Sequence, residues 1–324
     1  MAKATKGKTA PKKTAKAAPK KAAKAATKAD PKKSSKPELA TDYTIEEQMC
    51  VALAREFGPN DRIALSGVLN WTFVAEALAQ KMNAPQIPCH HDYSRLGGNG
   101  CLTEGPRFPF QVGNPPEEYP SAMVTSEDIF ALVLGGKWNI MMQPLQVDKQ
   151  GNANLALIGN PKKPDRYFVG SRGLPDNSTN SGKTYFTLPT HLKRNFPEKV
   201  DFRSSAGWGP ERKAGDIPYG AVAKIFTPLC IFDIDPKTKQ MRLASVHKGV
   251  TVNQVLKNTG FKPIVPKNVP ETCVPTKEEL RLLREVIDGA AIRRLDHGTA
   301  EEKKAVFEQI NDGTKFTQVY PNRR

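Results

Sequence analysis

Apolar residues recur at helical spacing in two stretches near the start of the patterned part of the chain. Ile45, Met49 and Leu53 form the first stripe, and Thr44 followed by Glu47 is the capping-box pattern of a helix start. An apolar run over residues 61–67 predicts a buried strand between the two stripes. The second stripe consists of Trp71, Val74, Leu78 and Met82.

Later helices and strands alternate along the chain. Capping boxes at Thr276–Glu279 and Thr299–Glu302 predict two further helices, and residues 125–134 and 251–260 predict two more. This alternation favours a layered α/β domain with a largely parallel sheet. Apolar segments predict strands at 139–147, 154–158, 199–203, 224–234 and 240–247.

Charge divides the chain unevenly. The 324 residues carry a formal net charge of +16, and residues 1–37, with 13 Lys and one Asp, account for +12 of it. A segment of Lys, Ala and Pro without large apolar residues cannot bury enough surface to order itself. We therefore expect a disordered tail over 1–40, a folded domain over 41–290 and a C-terminal helical extension over 291–324. The tail is the one segment that favours binding of nucleic acid.

Composition excludes several classes of protein. No uncharged apolar run approaches the length of a membrane helix, and the N-terminus lacks the apolar core of a secretory signal. Five cysteines without a C-x-x-C pair do not form a disulfide framework. We expect a protein of a reducing compartment, the cytoplasm, without a membrane partner.

One cluster contains residue types that bind metals but lacks the spacing of a metal site. Residues 89–92 read Cys-His-His-Asp, but adjacent side chains on a strand point to opposite faces, and no second Cys/His pair follows at zinc spacing. We predict no metal site there and interpret the segment as a strand end at a cleft.

Three polar, glycine-containing loops are better site candidates, because such loops gather at the carboxyl ends of strands in an α/β sheet. They span residues 148–154, 170–173 and 204–208. Arg172 is a permanent cation that suits a carboxylate or phosphate, although it could equally face solvent or pair with Asp176. The candidate binding residues are Asn152, Asn154, Gly170, Ser171, Arg172, Gly173, Ser205, Gly207 and Trp208.

The run from Gln146 to Gly159 resembles the Q-[IV]-D-x-x-G-N-x-N…IG signature of family I CoA-transferase β subunits. Further segments similar to that family follow in its order, at 199–208, 232–243, 249–261 and 282–288. The resemblance implies a three-layer α/β/α fold and an α-subunit partner in an α2β2 heterotetramer. It also implies a coenzyme A thioester as substrate and no permanently bound cofactor.

The chain departs from this family at the residue that carries the acyl group. The family places a Glu in an E-S-G or E-N-G turn, where this chain has Asp92-Tyr93-Ser94; Glu104-Gly105 lies some twelve residues later. An Asp carboxylate is one methylene shorter, and a misplacement of about 1 Å can lower a rate roughly 100-fold. Asp92 and Glu104 are therefore the candidate catalytic residues, and Trp71, Tyr93 and Trp208 are candidates to line an apolar pocket.

Three functions follow from these features. The leading hypothesis is the β subunit of an acyl-CoA hydrolase that opens the ring of a cyclic β-keto acyl-CoA. The first alternative is a CoA-transferase with Asp92 or Glu104 as the acyl carrier. The second is a non-catalytic subunit that binds polyanions through its basic tail.

Deleting residues 1–37 is expected to leave the melting temperature and the activity unchanged, because this composition does not favour packing. Thermal unfolding and steady-state rates of the full and shortened chains measure this. A lower melting temperature of the shortened chain would show that the tail docks on the folded domain.

Overall fold

The computed structural model describes most of the chain between Pro37 and Asp312. The predicted tail, Glu104, Tyr93 and almost all of the helix predicted over 125–134 lie outside the described residues. The described residues are 37–61, 63–65, 69–85, 89–92, 100–103, 120–124, 131, 134, 136, 138–210, 212, 215–220 and 222–312.

The described part of the chain contains thirteen strands, most of which follow one another in runs and do not alternate one by one with helices. In chain order they are β1 (Ile63–Leu65), β2 (Cys89–Asp92), β3 (Gly100–Thr103), β4 (Pro120–Val124), β5 (Trp138–Met142), β6 (Gln146–Val147), β7 (Ala153–Asn154), β8 (Leu157–Asn160), β9 (Lys163–Tyr167), β10 (Lys183–Thr187), β11 (Val222–Phe226), β12 (Cys230–Ile234) and β13 (Met241–Val246).

Within the described part of the chain, nine of these strands form one sheet in the order β13-β12-β11-β10-β5-β1-β2-β3-β4. The five central strands, from β11 to β2, are parallel. Antiparallel pairs flank them on both sides. The remaining strands form two small antiparallel pairs, β6–β7 and β8–β9. A parallel core of this kind confirms the predicted α/β class.

Helices begin where the capping boxes predict them. The Thr44, Thr251 and Thr276 hydroxyls each accept a hydrogen bond from the backbone three residues later. The last of these helices continues as a π-helical turn, Leu282–Ile287. The α-helices are α1 (Ile45–Ala54), α2 (Asn70–Met82), α3 (Leu174–Asn180), α4 (Val252–Asn258), α5 (Lys277–Arg281), α6 (Arg294–His297) and α7 (Ala300–Asp312), with a 3₁₀ turn at Lys193–Asn195.

Two apolar cores cover the two faces of the sheet and create three layers. One face packs against α1, α2 and the π-helical turn, with Trp71 and Leu78 fully buried there. The other packs against the β6–β7 hairpin, α3 and α4, with Leu174 and Val255 fully buried. Because both faces are covered, residues of β5 and β10 are buried on both sides of the sheet, among them Ile140, Met141, Tyr185 and Phe186.

Four strand predictions are wrong in detail. The predicted strand 139–147 is β5 and β6, and the predicted strand 154–158 covers the end of β7 and the start of β8; in both cases the two strands belong to different sheets. The predicted strand 224–234 is two antiparallel strands, because Thr227 and Pro228 turn the chain and the Thr227 hydroxyl accepts a hydrogen bond from the Cys230 N–H at 3.1 Å. The predicted strand 199–203 is irregular chain. Its Asp201 carboxylate accepts hydrogen bonds from Gln146 and Gly159, so this segment is fixed by side-chain contacts and not by strand pairing.

Both ends of the described chain pack on the same domain. The backbone of Glu38 and Ala40 pairs with residues 275–277. Ile292 and Val306, in the predicted C-terminal extension, are buried in the core beside α2. Among the helices that the structure describes, none is long and apolar enough to cross a bilayer.

A buried ion network joins α1 to the C-terminal segment. Arg293, 5% exposed, donates to Glu47 at 2.8 Å and to Asp288 at 2.7 Å, and the more exposed Arg284 donates to Glu47 at 2.7 Å. Burial alone would raise the pKa of the Glu47 carboxyl, but hydrogen bonds from Arg284 and Thr44 and the charge of Arg293 lower it below its usual value. Glu47 therefore remains ionised although it is buried.

Replacing Arg293 with Ala is expected to destabilise the fold by about 3–5 kcal/mol, because two buried carboxylates lose their shared counter-ion. The matched control is Arg284→Ala, which also removes a partner of Glu47 but at a site 37% exposed, and it should cost about 1 kcal/mol or less. Urea unfolding measures both free energies. Equal losses in the two variants would contradict the argument from burial.

Candidate functional site

The carboxyl ends of the five parallel strands meet at one edge of the sheet. Met142 ends β5, Asp92 ends β2 and Thr187 ends β10 at this edge. Ligands of open α/β sheets bind in the crevice outside this edge.

The first predicted loop, residues 148–154, is a tight turn built around Asp148. Its Oδ1 accepts hydrogen bonds from the N–H groups of Gln150 at 3.0 Å and Asn152 at 3.1 Å. Burial raises the pKa of the Asp148 carboxyl, although the bonds from Asn152 and Gln150 act in the opposite direction. The Asp148 side chain is therefore occupied in fixing the turn.

The third predicted loop lies directly on this turn. The Gly207 N–H donates to Asn152 Oδ1 at 2.9 Å, and the Trp208 N–H donates to the Gln150 carbonyl at 2.8 Å. A Cβ atom on Gly207 would lie 2.3 Å from that carbonyl oxygen. Glycine is required here because the two backbones approach too closely for any side chain.

The second predicted loop joins the other two through hydroxyl groups. Ser171 Oγ donates to Ser204 Oγ at 2.9 Å, and the backbone N–H groups of Ser204 and Ser205 both donate to the Ala153 carbonyl. Ser205 Oγ is buried and has no hydrogen-bond partner among the described residues. The three loops therefore form one connected surface, which we call the loop junction: residues 148–154, 170–173 and 204–208.

The Gly170–Gly173 segment leads into α3, where Asn177 Nδ2 contacts Met142 Sδ at 3.4 Å at the end of β5. The other two loops of the junction lie against Val222, at the start of β11. Arg172 is exposed, has the left-handed φ of +49°, and forms no ion pair with Asp176 among the described contacts. Of the interpretations made from sequence, pairing with Asp176 is thus wrong, and the guanidinium is available to a ligand.

Two predicted binding residues also maintain the loops themselves. Asn154 Nδ2 donates to Gln146 Oε1 at 2.8 Å and to the Leu157 carbonyl at 2.7 Å, so its amide shapes the turn. Trp208 Nε1 donates to the Val222 carbonyl, and Lys239 Nζ lies 4.4 Å from its ring centroid. A direct role of these two residues in binding substrate stays a prediction.

The predicted aromatic pocket does not form as a unit. Trp71 is fully buried in the core on the α2 face, whereas Trp208 packs against the core on the opposite face. Trp71 is therefore a packing residue, and the prediction is wrong for it. Sequence alone could not separate the two roles, because both faces of the sheet use large apolar residues.

The two candidate catalytic carboxylates, Asp92 and Glu104, stay predictions. Asp92 ends β2, where its backbone pairs with Gly100, and its side chain lies outside the described part of the structure, as does Glu104. Sequence reasoning missed Ser204, whose hydroxyl joins two loops; its position beside Ser205 was the available signal. Among the described residues, no group of three or more His, Cys, Asp or Glu side chains could hold a metal ion.

Most hydrogen-bonding groups of the loop junction are used inside it. The N–H groups of residues 150, 152, 204, 205, 207 and 208 donate to other groups of the junction, the Ser171 hydroxyl donates to Ser204, and Ser205 is buried. The exposed side-chain donor of the junction is the Arg172 guanidinium. The carboxylates of Asp148 and Asp201 are occupied by backbone and amide donors. Such a surface suits an anionic oxygen of a ligand, as in a carboxylate, a phosphate or an enolate.

Comparison with known proteins identifies the class. The family model described as coenzyme A transferase matches residues 106–258. The IpdB subunit of the cholesterol ring-cleaving hydrolase of Mycobacterium tuberculosis is 30% identical over 253 residues, 77% of this chain and 97% of that protein. The B component of the 3-oxoadipate CoA-transferase of Pseudomonas knackmussii is 29% identical over 248 residues, 75% of this chain and 92% of that protein.

A solved structure shows the same fold. The crystal structure of Rhodococcus jostii IpdAB matches with a TM-score of 0.70 and 27% identity, covering 80% of this chain and 100% of that chain. The chain belongs to the coenzyme A transferase family. Within it, the chain is a β subunit and therefore a component of an enzyme. The family and the fold expected from the sequence resemblance are confirmed.

Arg172→Lys is expected to raise KM roughly tenfold, about 1.4 kcal/mol, because an ammonium cannot bind a carboxylate or phosphate bidentately. Arg172→Gly should raise KM at least as much without lowering the melting temperature, since glycine favours the φ of +49°. Steady-state kinetics and thermal unfolding of the assembled enzyme measure these effects.

The matched control is Arg194→Lys, an exposed arginine outside the loop junction, which should leave KM unchanged. Wild-type KM in both Arg172 variants would refute a role in binding. A lower melting temperature with unchanged KM would instead identify a purely structural arginine.

Proposed function

We propose that this chain is the β subunit of an acyl-CoA hydrolase that assembles with an α subunit in an α2β2 heterotetramer. The substrate is a cyclic β-keto acyl-CoA whose ring is opened by water. This proposal is supported by the similarity to the IpdB subunit of the ring-cleaving hydrolase, which extends over nearly the whole length of that protein.

The observation that carries the proposal is the composition of the loop junction. Its exposed Arg172 side chain supplies donors to an anionic oxygen, whereas the Asp148 carboxylate in the junction and the Asp201 carboxylate nearby are occupied. A covalent transferase needs a free carboxylate positioned against the thioester carbonyl. This chain has the shorter Asp92 where the family resemblance expects that Glu.

Ring opening by water requires a site that activates water and stabilises negative charge on oxygen. Water adds to the ring ketone carbon, and the bond between that carbon and the carbon beside the thioester carbonyl breaks. The ketone carbon becomes a carboxylate, and the electron pair remains on the thioester enolate until a proton is added. We assign Arg172 and the backbone of the Gly170–Gly173 loop to binding the anionic oxygens, with a carboxylate of the α subunit activating water.

A true CoA-transferase is the second candidate, because the similarity to the B component of the 3-oxoadipate CoA-transferase is nearly as high. In that case Asp92 or Glu104 attacks the thioester carbonyl, coenzyme A leaves, and an enzyme-bound acyl anhydride forms. The released CoA thiolate then attacks the enzyme-side carbonyl of the anhydride, which expels the first carboxylic acid and leaves an enzyme-bound CoA thioester.

Co-expression with the α subunit is expected to give a stable complex with activity, whereas the isolated chain should be inactive because it lacks a complete catalytic set. Size-exclusion chromatography and turnover of a cyclic β-keto acyl-CoA measure this. Robust turnover by the isolated chain would contradict the need for a partner.

Trapping distinguishes the two reactions. The complex incubated with acyl-CoA and then with hydroxylamine or borohydride should keep its activity if it is a hydrolase, because no enzyme thioester forms. The hydrolytic reaction should also place oxygen from labelled water in the new carboxylate. Loss of activity through one modified carboxylate, located by mass spectrometry, would establish the transferase instead.

A further inference from the structure

The β8–β9 pair is a two-stranded ribbon that projects from the domain. Its strands pair only with each other among the described strands, through contacts from Leu157–Tyr167 to Asn160–Lys163. Nearly every residue from Asn160 to Val169 is exposed. A two-stranded ribbon in water is only marginally stable unless something covers it.

The ribbon ends in three consecutive large apolar residues. Tyr167 is 71% exposed, Phe168 38% and Val169 65%. Scattered apolar residues are ordinary on protein surfaces, but a contiguous run beside a polar rim marks an interaction site. Arg166 stacks over Phe168 with its guanidinium carbon 5.2 Å from the ring centroid, a pairing frequent at protein interfaces.

The segment that contains this apolar run is predominantly basic. Between positions 160 and 173 it carries Lys162, Lys163, Arg166 and Arg172, with Asp165 as the one acidic residue. A second copy of this chain would place cations opposite cations if the two ribbons met face to face. The surface therefore fits a different chain, with an apolar centre and an acidic rim.

The position of the ribbon in the fold indicates which protein chain binds to it. Val169 leads directly into Gly170–Gly173, the part of the loop junction that carries Arg172. A protein seated on the ribbon would border the loop junction, where it could supply the carboxylate that Asp148 and Asp201 do not offer. We propose that the ribbon with Tyr167, Phe168 and Val169 is the docking surface for the α subunit. This inference rests on the proposed function.

The test uses the full chain co-expressed with the α subunit. The variant Tyr167→Ser/Val169→Ser should weaken subunit association about tenfold or more, as removal of buried apolar anchors does, with the melting temperature of the isolated chain unchanged. The control is Val265→Ser/Phe307→Ser, which removes two apolar side chains exposed elsewhere, 37% and 53% respectively. The control should associate as the wild type does.

A second variant tests the charge argument. Lys163→Glu/Arg166→Glu should slow association and remove part of its dependence on salt, because it reverses the sign of the rim. Hydrogen exchange should show residues 157–169 protected in the complex and not in the isolated chain.

The failures are distinguishable. If no complex forms with the wild-type chain, the proposed function itself fails. If the complex forms and both ribbon variants associate like the wild type, only the docking surface is wrong. Ribbon-dependent self-association of the isolated chain, or ribbon-dependent binding to phosphatidylserine vesicles, would also overturn it in favour of a second copy or a membrane.

Discussion

The candidate site depends on one close contact between two backbones, that of Gly207 against the turn at 148–152. The contact is possible because Asp148 holds the turn closed and Asn152 Oδ1 receives the Gly207 N–H. It fixes where the 204–208 loop lies, and Ser204 then fixes the Gly170–Gly173 loop through Ser171. The positions of three loops that are distant in sequence therefore depend on a single turn, at residues 148–152. Preorganisation of this kind is what allows loop N–H groups to stabilise developing charge.

A second constraint on the fold is the buried ion network that joins α1 to the C-terminal segment. Arg293 connects Glu47 in α1 with Asp288, so residues more than 240 positions apart share one buried cation. A buried ion network is weak evidence for high stability, because desolvation offsets much of its attraction. Its consequence is geometric: α1, the π-helical turn and the C-terminal segment must meet in one arrangement, or a charge remains buried without a partner.

Local signals in the sequence predicted local structure well. Capping boxes located the starts of α1 and α5, and apolar stripes located the buried faces of α1 and α2. The polar loops were also predicted to gather at the carboxyl ends of strands. They do meet, but through the turn between β6 and β7, which lies with Trp208 against Val222 at the start of β11. The predictions were wrong at positions whose structure is determined by contacts between residues distant in the sequence. Asp201 fixes irregular chain at 199–203, and the opposite faces of the sheet separate Trp71 from Trp208.

The relatives of this chain catalyse different reactions at nearly equal identity, 30% for a component of a ring-cleaving hydrolase and 29% for a component of a CoA-transferase. Overall similarity therefore does not decide between them, and the chemistry of the site must. Both reactions develop charge on an oxygen derived from a carbonyl. They differ in which group attacks, a carboxylate of the enzyme or water. In the proposed hydrolase the attacking group is water, and in the alternative it is Asp92 or Glu104, so identification of the attacking group assigns the reaction.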